Sequence, residues 1–336
     1  MTPQMGVQGH HPLQKYTIMT TSLFLPCIIG PTGAGKTAAA LALAGALPIS
    51  VVNADSRQVY ADFPIITAQP QADEYAACPH LLYGFLQAGE KLGAGEYARL
   101  AEEALREIAA QGRVPVLVGG TGLYFRALLE GLAPIPVIPP EVSAAWQERC
   151  LAMGSETLHA LLTERDPVYA AKIHPHDRQR ITRALEVHEA TGKPFSWWHD
   201  RHKSTGANRG CHPYRACKVG IELSLSELEP LLALRIDTML ERGALEEART
   251  ALERCPDPRA IARAPGWSGI GCAEVYGYLS GQLTLEECRA LWLRNTRAYA
   301  KRQLTWFKAD KDIRWFRPEQ AEEIVEYIQR ESGLYF

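Results

Sequence analysis

The stretch Leu23-Phe-Leu-Pro-Cys-Ile-Ile-Gly30-Pro-Thr-Gly-Ala-Gly-Lys36-Thr37 runs from an apolar segment into a glycine-rich turn, and Ala38 to Leu47 continues it as an alanine- and leucine-rich segment closed by Pro48. An apolar run of this length that stops at a glycine reads as a buried strand, and the segment after the turn reads as a helix. Strand, turn and helix in that order are the context required by the pattern G-x-x-x-x-G-K-[ST]. Its glycines let backbone N–H groups wrap a phosphate at a helix N-terminus, where the dipole also favours anions. Gly30, Thr32, Gly33, Ala34, Gly35, Lys36 and Thr37 are therefore the expected diphosphate cradle. Lys36 supplies a point charge, and the Thr37 hydroxyl is the expected Mg²⁺ ligand. The pattern is specific for a diphosphate or triphosphate and says little about which one.

Outward from this unit, strand and helix patterns alternate. Ile49-Ser-Val-Val52 reads as a strand ending at Asn53-Ala-Asp55, Ala98 to Ala110 as a helix, and Val114 to Val118 as a strand ending in Gly119-Gly-Thr-Gly122. This order predicts an α/β fold: a P-loop NTPase-like parallel sheet flanked by helices. The prolines at 134, 136, 139 and 140 mark a boundary. Beyond them the patterns are helical, which makes residues 137–213 a helical insertion. Ser196 to Tyr214 is expected to be a loop returning to the core, followed by a strand over Lys218 to Leu223. The expected organisation is a flexible leader over 1–22, a catalytic core of 23–136 and 214–336 with a basic helical C-terminal part, and the insertion between.

The formal net charge of −2 and pI near 6.6 give no global basic field, so a polyanion would have to be held by local clusters. One such cluster spans Arg294 to Arg317, with eight basic residues against Asp310 and Asp312. Arg294, Arg297, Lys301 and Lys308 fall near one helical face there, as a phosphate-tracking stripe would. Eight cysteines without a Cys-x-x-Cys pair suggest reduced thiols and no metal site. No apolar run is long enough to span a bilayer, so a cytoplasmic, monomeric protein without a membrane partner is expected.

A P-loop ATPase should also show an apolar strand ending in an acidic Mg²⁺ ligand. The Val114 to Val118 strand ends in glycines instead, which leaves Asp55 as an acid that holds Mg²⁺ or takes a proton from an acceptor. The residues alone leave open a phosphoryl-transfer enzyme or a relative that puts the cradle to other use.

Taken in order, Gly30 to Thr37, Asp55-Ser56 with Gln58-Val-Tyr60, and Val118-Gly-Gly-Thr-Gly-Leu-Tyr124 resemble the tRNA dimethylallyltransferases. So do His174-Pro-His-Asp177 with Arg180 to Val187, Arg235-Ile-Asp-Thr-Met239, and Lys301-Arg-Gln-Leu-Thr-Trp-Phe307. The resemblance covers roughly residues 23 to 317 and implies that the cradle, with Mg²⁺, holds dimethylallyl diphosphate while the N6 of a tRNA adenine beside the anticodon attacks the allylic carbon. It implies Asp55 as the base, Arg235 as a pyrophosphate contact and Thr32 as a hydroxyl facing the reacting centre. The competing reading of Asp55 is a helix N-cap, and that of Arg235 is a surface ion pair with Asp237 or Glu241. The resemblance further implies that Asp55, Ser56, Arg57, Gln58 and Thr121 read the flipped base, and that Gln179, Arg180, Arg183 and Lys301 contact the tRNA anticodon stem-loop. A transferase acting on free adenine nucleotides and a P-loop kinase are the alternatives.

The chain also departs from the family pattern. Where the family has Asp-x-Gly-Thr-Ala-Lys-Pro, this chain has Pro64-Ile-Ile-Thr-Ala-Gln-Pro70. Gly84 stands where an acid is expected, Leu231 where an arginine is common, and Cys272-Ala273 where Tyr-Lys/Arg is common. These positions bear on tRNA preference more than on reaction class.

Overall fold

The protein is described by a computed structural model covering residues 22–204, 213–255 and 257–333, so all but the last residue of the expected leader lies outside the described residues. Six strands, β1 (Leu23–Ile29), β2 (Ile49–Asn53), β3 (His80–Leu81), β4 (Val114–Gly119), β5 (Tyr214–Ile221) and β6 (Arg314–Phe316), form one sheet in the order β3-β2-β4-β1-β5-β6. Every pairing is parallel.

Successive strand residues point to opposite faces, and both faces are covered, which is why these strands read as unbroken apolar runs. On one face Ile28, Val51, Val116 and Val219 pack with Ala39 and Leu43 of α1 (Lys36–Ala46) and with Ile324 and Ile328 of the C-terminal helix. After α1 come the short α2 (Ala72–Ala77), then α3 (Ala94–Ala110) and α4 (Gly122–Leu129), of which the last two cover the other face. There Leu25, Cys27 and Leu117 meet Tyr97, Leu105, Ile108 and Tyr124. The rings of Tyr97 and Tyr124 stack with centroids 3.7 Å apart.

The insertion contains α5 (Pro140–Met153), α6 (Ser155–Arg165), α7 (Pro167–Ala170), α8 (Arg178–Thr191) and α9 (Phe195–Ser204). It has its own core of Trp146, Leu158, Leu162, Ile181 and Leu185. Composition predicts a loop over Ser196 to Tyr214, but Phe195–Ser204 is helical, and of the remainder 205–212 lie outside the described residues. The buried Asp166 starts this helix by accepting hydrogen bonds from the Ser196 N–H at 2.8 Å and hydroxyl at 2.7 Å. That anchor is 30 residues away in sequence, so local composition gives no sign of it.

The chain re-enters the sheet at Tyr214, four residues before the expected Lys218, because β5 pairs with the whole length of β1 from Leu23↔Tyr214 to Ile29↔Gly220. A fourth apolar cluster then joins α10 (Leu225–Glu241), α11 (Ala244–Arg254), α12 (Pro258–Arg263), α13 (Cys272–Leu279) and α14 (Leu285–Lys308) to the loop after β2. Helices α10 and α14 both open on capping boxes, Ser224 with Glu227 and Thr284 with Glu287. The basic segment is not helical throughout: α14 ends at Lys308, Arg314 belongs to β6, and α15 (Ala321–Ser332) closes the chain.

Candidate active site

In a parallel sheet all strand C-termini lie on one edge, and ligands bind there. At that edge β1 delivers Gly30, β2 delivers Asp55, and β4 delivers Gly119-Gly-Thr-Gly122. Gly33 (φ 80°) and Gly35 (φ 90°) take the left-handed conformation that turns the chain into α1. Gly30 lies against β5, so that a Cβ there would sit 2.6 Å from the Ile221 carbonyl oxygen.

The glycines after β4, which fit no acidic Mg²⁺-ligand pattern, serve close packing. A Cβ on Gly119 would fall 2.2 Å from Ala54, one on Gly120 2.1 Å from Gln303 Nε2, and one on Gly122 2.0 Å from Trp306 Nε1. The turn is thereby pressed between the end of β2 and α14.

Two cavities meet at this edge. The first, about 210 Å³, is lined by Thr32, Gly33, Gly35, Lys36 and Thr37 of the cradle and by Asp55, Gln58, Thr67 and Arg235. The second, about 390 Å³, contains Thr32, Asp55, Thr67 and Arg235 again, and then Arg57, Gln179, Tyr299 and Arg302 with an apolar wall that includes Leu232, Ile236 and Trp292. Four residues are thus common to a phosphate-type pocket and a larger one with an apolar wall.

Asn53 organises the turn that carries Asp55. Its Oδ1 accepts the Asp55 N–H at 2.8 Å, and its Nδ2 donates to the Asp55 and Leu82 carbonyls. Asp55 Oδ1 accepts the Arg57 N–H at 2.9 Å, and its second carboxylate oxygen bonds to no described residue. The carboxylate therefore caps a turn rather than a helix. Ser56 donates its N–H to Thr121 Oγ1 at 2.9 Å, and the Thr121 hydroxyl donates to Ser56 Oγ at 3.3 Å.

Arg57 donates to the Pro265 carbonyl, and Gln58 Nε2 donates to the carbonyls of Thr67 and Ala68. Two more backbone groups of that loop, the N–H of Ile65 and of Ile66, are held by Glu247, whose carboxyl burial pushes up to about 7 against those bonds.

Lys36 Nζ donates to the carbonyls of Gly30 at 3.0 Å and Pro31 at 2.8 Å. Burial pulls its ammonium down to about 8, opposed by the Asp55 carboxylate and assisted by Arg235. Arg235 makes no ion pair with Asp237, which is bound in a two-point pair by Arg289 at 2.5 and 2.6 Å. Burial lowers the Arg235 guanidinium and the Asp55 carboxylate raises it, and both residues line the two cavities where they meet.

Among the other expected site residues, Gly30 and Ala34 shape the cradle from behind, and Gln179 is the insertion residue that lines the second cavity. Arg180 pairs with Asp177 at 3.3 Å and Arg183 with Glu186 at 3.4 Å, both on the surface of α8. Lys301 is exposed and makes no ion pair with any described residue. On the same helix Arg297 pairs with Glu229 at 2.7 Å and Lys308 with Glu222 at 2.9 Å, so half of the expected basic stripe is neutralised by carboxylates.

Sequence reasoning assigned no role to Asn53, Thr67, Tyr299 or Gln303. Tyr299 lines the second cavity, and its phenol is raised to about 12 by burial and by Asp55. Two departures from the family pattern lie together: Gln69 is buried, donates to the Tyr60 carbonyl at 2.7 Å, and places its Oε1 where a Cβ on Gly84 would come within 2.7 Å. Two others, Ile66 and Cys272, belong to one apolar cluster.

The chain is similar to known proteins in sequence and in fold. The IPP transferase family profile matches residues 58–310. The tRNA dimethylallyltransferase of Nitratidesulfovibrio vulgaris strain DP4 is 57% identical over 89% of this chain and 94% of its own length. That of Oleidesulfovibrio alaskensis is 56% identical over 86% and 92%. A crystal structure of tRNA isopentenylpyrophosphate transferase from Bacillus halodurans superposes with a TM-score of 0.65 at 31% identity, covering 92% of this chain and 98% of that one. A eukaryotic dimethylallyltransferase acting on tRNA superposes with a TM-score of 0.74 at 26% identity, covering 93% and 78%. This chain belongs to the IPP transferase family.

Proposed function

We propose that the protein transfers the dimethylallyl group of dimethylallyl diphosphate to N6 of the adenosine 3′ to the anticodon, position 37 of tRNA, releasing pyrophosphate, as a cytoplasmic monomer. The observation that carries the reading is the junction of two cavities at Thr32, Asp55, Thr67 and Arg235. A diphosphate held in the cradle and a base entering from the other side would meet there.

The cradle's backbone amides and the Lys36 ammonium bind the diphosphate and stabilise the charge it gains on leaving. Arg235 adds a second cation at the junction. The donor set fits Mg²⁺, which needs only one or two protein oxygens beside phosphate oxygens and water. Thr37 would hold it, and the ion would neutralise charge on the departing diphosphate.

The adenine must leave its stack to reach Asp55, and Arg57, Tyr299 and Arg302 line the space that would receive it. Asp55, fixed at one oxygen by Arg57 N–H, takes the N6 proton with the other as the N–C bond forms. The exposed Lys301, with Arg180 and Arg183 on α8, would contact the RNA backbone.

Incubation with labelled dimethylallyl diphosphate, Mg²⁺ and bulk tRNA, with AMP and ATP as parallel acceptors, tests the reading. Label is expected in tRNA. Label in AMP or ATP alone would move the assignment to a nucleotide prenyltransferase.

A further inference from the structure

We infer that Gln303 is a positioning residue that holds the donor loop and the acceptor loop in register for transfer; this rests on the function proposed above. Gln303 belongs to α14, 24 residues long, and is 4% exposed. Tyr299, Gln303 and Trp306 recur at helical spacing on the face that runs along the Gly119-Gly-Thr-Gly turn.

The amide of Gln303 is used at both ends. Its Oε1 accepts the Thr32 N–H of the cradle at 3.0 Å, and its Nε2 donates to the Gly120 carbonyl at 2.9 Å. Gly120 has no side chain because the Gln303 amide occupies that place, with Nε2 2.1 Å from where a Cβ would stand. The Thr32 N–H is thus turned toward α14 and is not one of the amides that face a phosphate. Gln303 fixes the peptide that precedes Thr32, and with it the residue that lines both cavities.

From Gly120 the link continues to the acceptor side. The next residue, Thr121, accepts the Ser56 N–H at 2.9 Å, beside Asp55. One path of hydrogen bonds and adjacent peptides therefore joins the residue at the leaving group to the residue that takes the proton. The position needs an uncharged side chain that accepts at one oxygen and donates from the neighbouring nitrogen, which only an amide of this length supplies. Transfer requires carbon and nitrogen to meet within a few tenths of an ångström, so a brace between their two supports bears on rate rather than on binding.

Gln303→Met keeps the volume and removes both bonds. In single-turnover prenylation of tRNA with saturating dimethylallyl diphosphate, its rate per folded site is expected to fall about 10- to 10²-fold, with donor and tRNA Kd each within about threefold of wild type. Gln303→Glu still accepts from Thr32 but can donate to Gly120 only when protonated. Its rate relative to wild type is expected to climb as pH falls, by up to about tenfold per unit above the acid's own pKa, while the Gln303→Met ratio stays flat. A wild-type rate per folded site in Gln303→Met, or affinities that fall in step with the rate, overturns the inference. So does a pH-independent ratio for Gln303→Glu. A wild-type protein that leaves tRNA unprenylated overturns the functional reading itself, and the inference with it.

Discussion

Asp55 is held at one carboxylate oxygen by the Arg57 N–H and at its own N–H by Asn53. Substitution by Asn keeps those contacts and removes only the capacity to take a proton. Asp55→Asn is expected to bind donor normally and to lose turnover by about 10² or more; near-normal single-turnover rates would remove Asp55 from the base role. Lys36 gives a pH signature. Its ammonium, brought down to about 8 by burial, is the form that binds a diphosphate. As pH rises through 8 the free enzyme loses that charge, so donor Kd is expected to rise above pH 8, by up to about tenfold per unit. A donor affinity flat from about pH 7 to 9.5 in calorimetric titration would contradict this. Gln69 and Gly84 show how two departures become one change: the amide lies in the space beside the glycine, and its donor is satisfied by Tyr60. Neither position lines either of the two cavities.

At the scale of elements, α14 has two roles on different faces. One face carries Tyr299, Gln303 and Trp306 against the active-site turn, while Arg297 pairs across to α10. Arg297 and Lys308 each sit beside a carboxylate that cancels their local charge, although exposed pairs of this kind contribute only about 0–1 kcal/mol to stability. Lys301 makes no such pair with any described residue. Lys301→Ala is expected to make the log–log salt dependence of tRNA affinity shallower by about 1, whereas Arg297→Ala leaves it nearly parallel to wild type. Equal slopes for all three proteins in filter binding would remove Lys301 from the interface. The elements legible in the sequence were those whose pattern is set by their own residues: β1, α1, β2 and β4 are apolar or glycine-bounded runs, and the cradle and Asp55 sit at their ends. What was not legible depends on partners far along the chain. Helix α9 begins on Asp166, β6 is a three-residue strand defined by pairing with β5, and Gln303 is one polar residue in a helix until it meets Thr32 and Gly120.

At the scale of the whole molecule, the insertion has a core of its own around Trp146, Leu158 and Leu185, while Gln179 reaches the shared cavity. Replacing residues 137–213 by a short flexible linker is expected to leave a folded core that binds donor but has lost most tRNA affinity, read by thermal denaturation and filter binding. A core that no longer folds would show that the insertion supports the sheet. The pairing of β1 with β5 has another consequence, in time rather than space. The sheet's most extensive strand partnership joins Leu23 to a residue 191 positions later, Tyr214. Contacts so distant in sequence form late, and domains fold as their residues leave the ribosome. The insertion emerges complete while β1, which can already pair with β4, still waits for its second neighbour, and Gly30 is backed only when Ile221 arrives. Arg235 and Gln303 follow later still. A nascent chain halted before residue 221 carries the entire phosphate-binding sequence but lacks the strand that backs Gly30 and the Arg235 that completes the cavity.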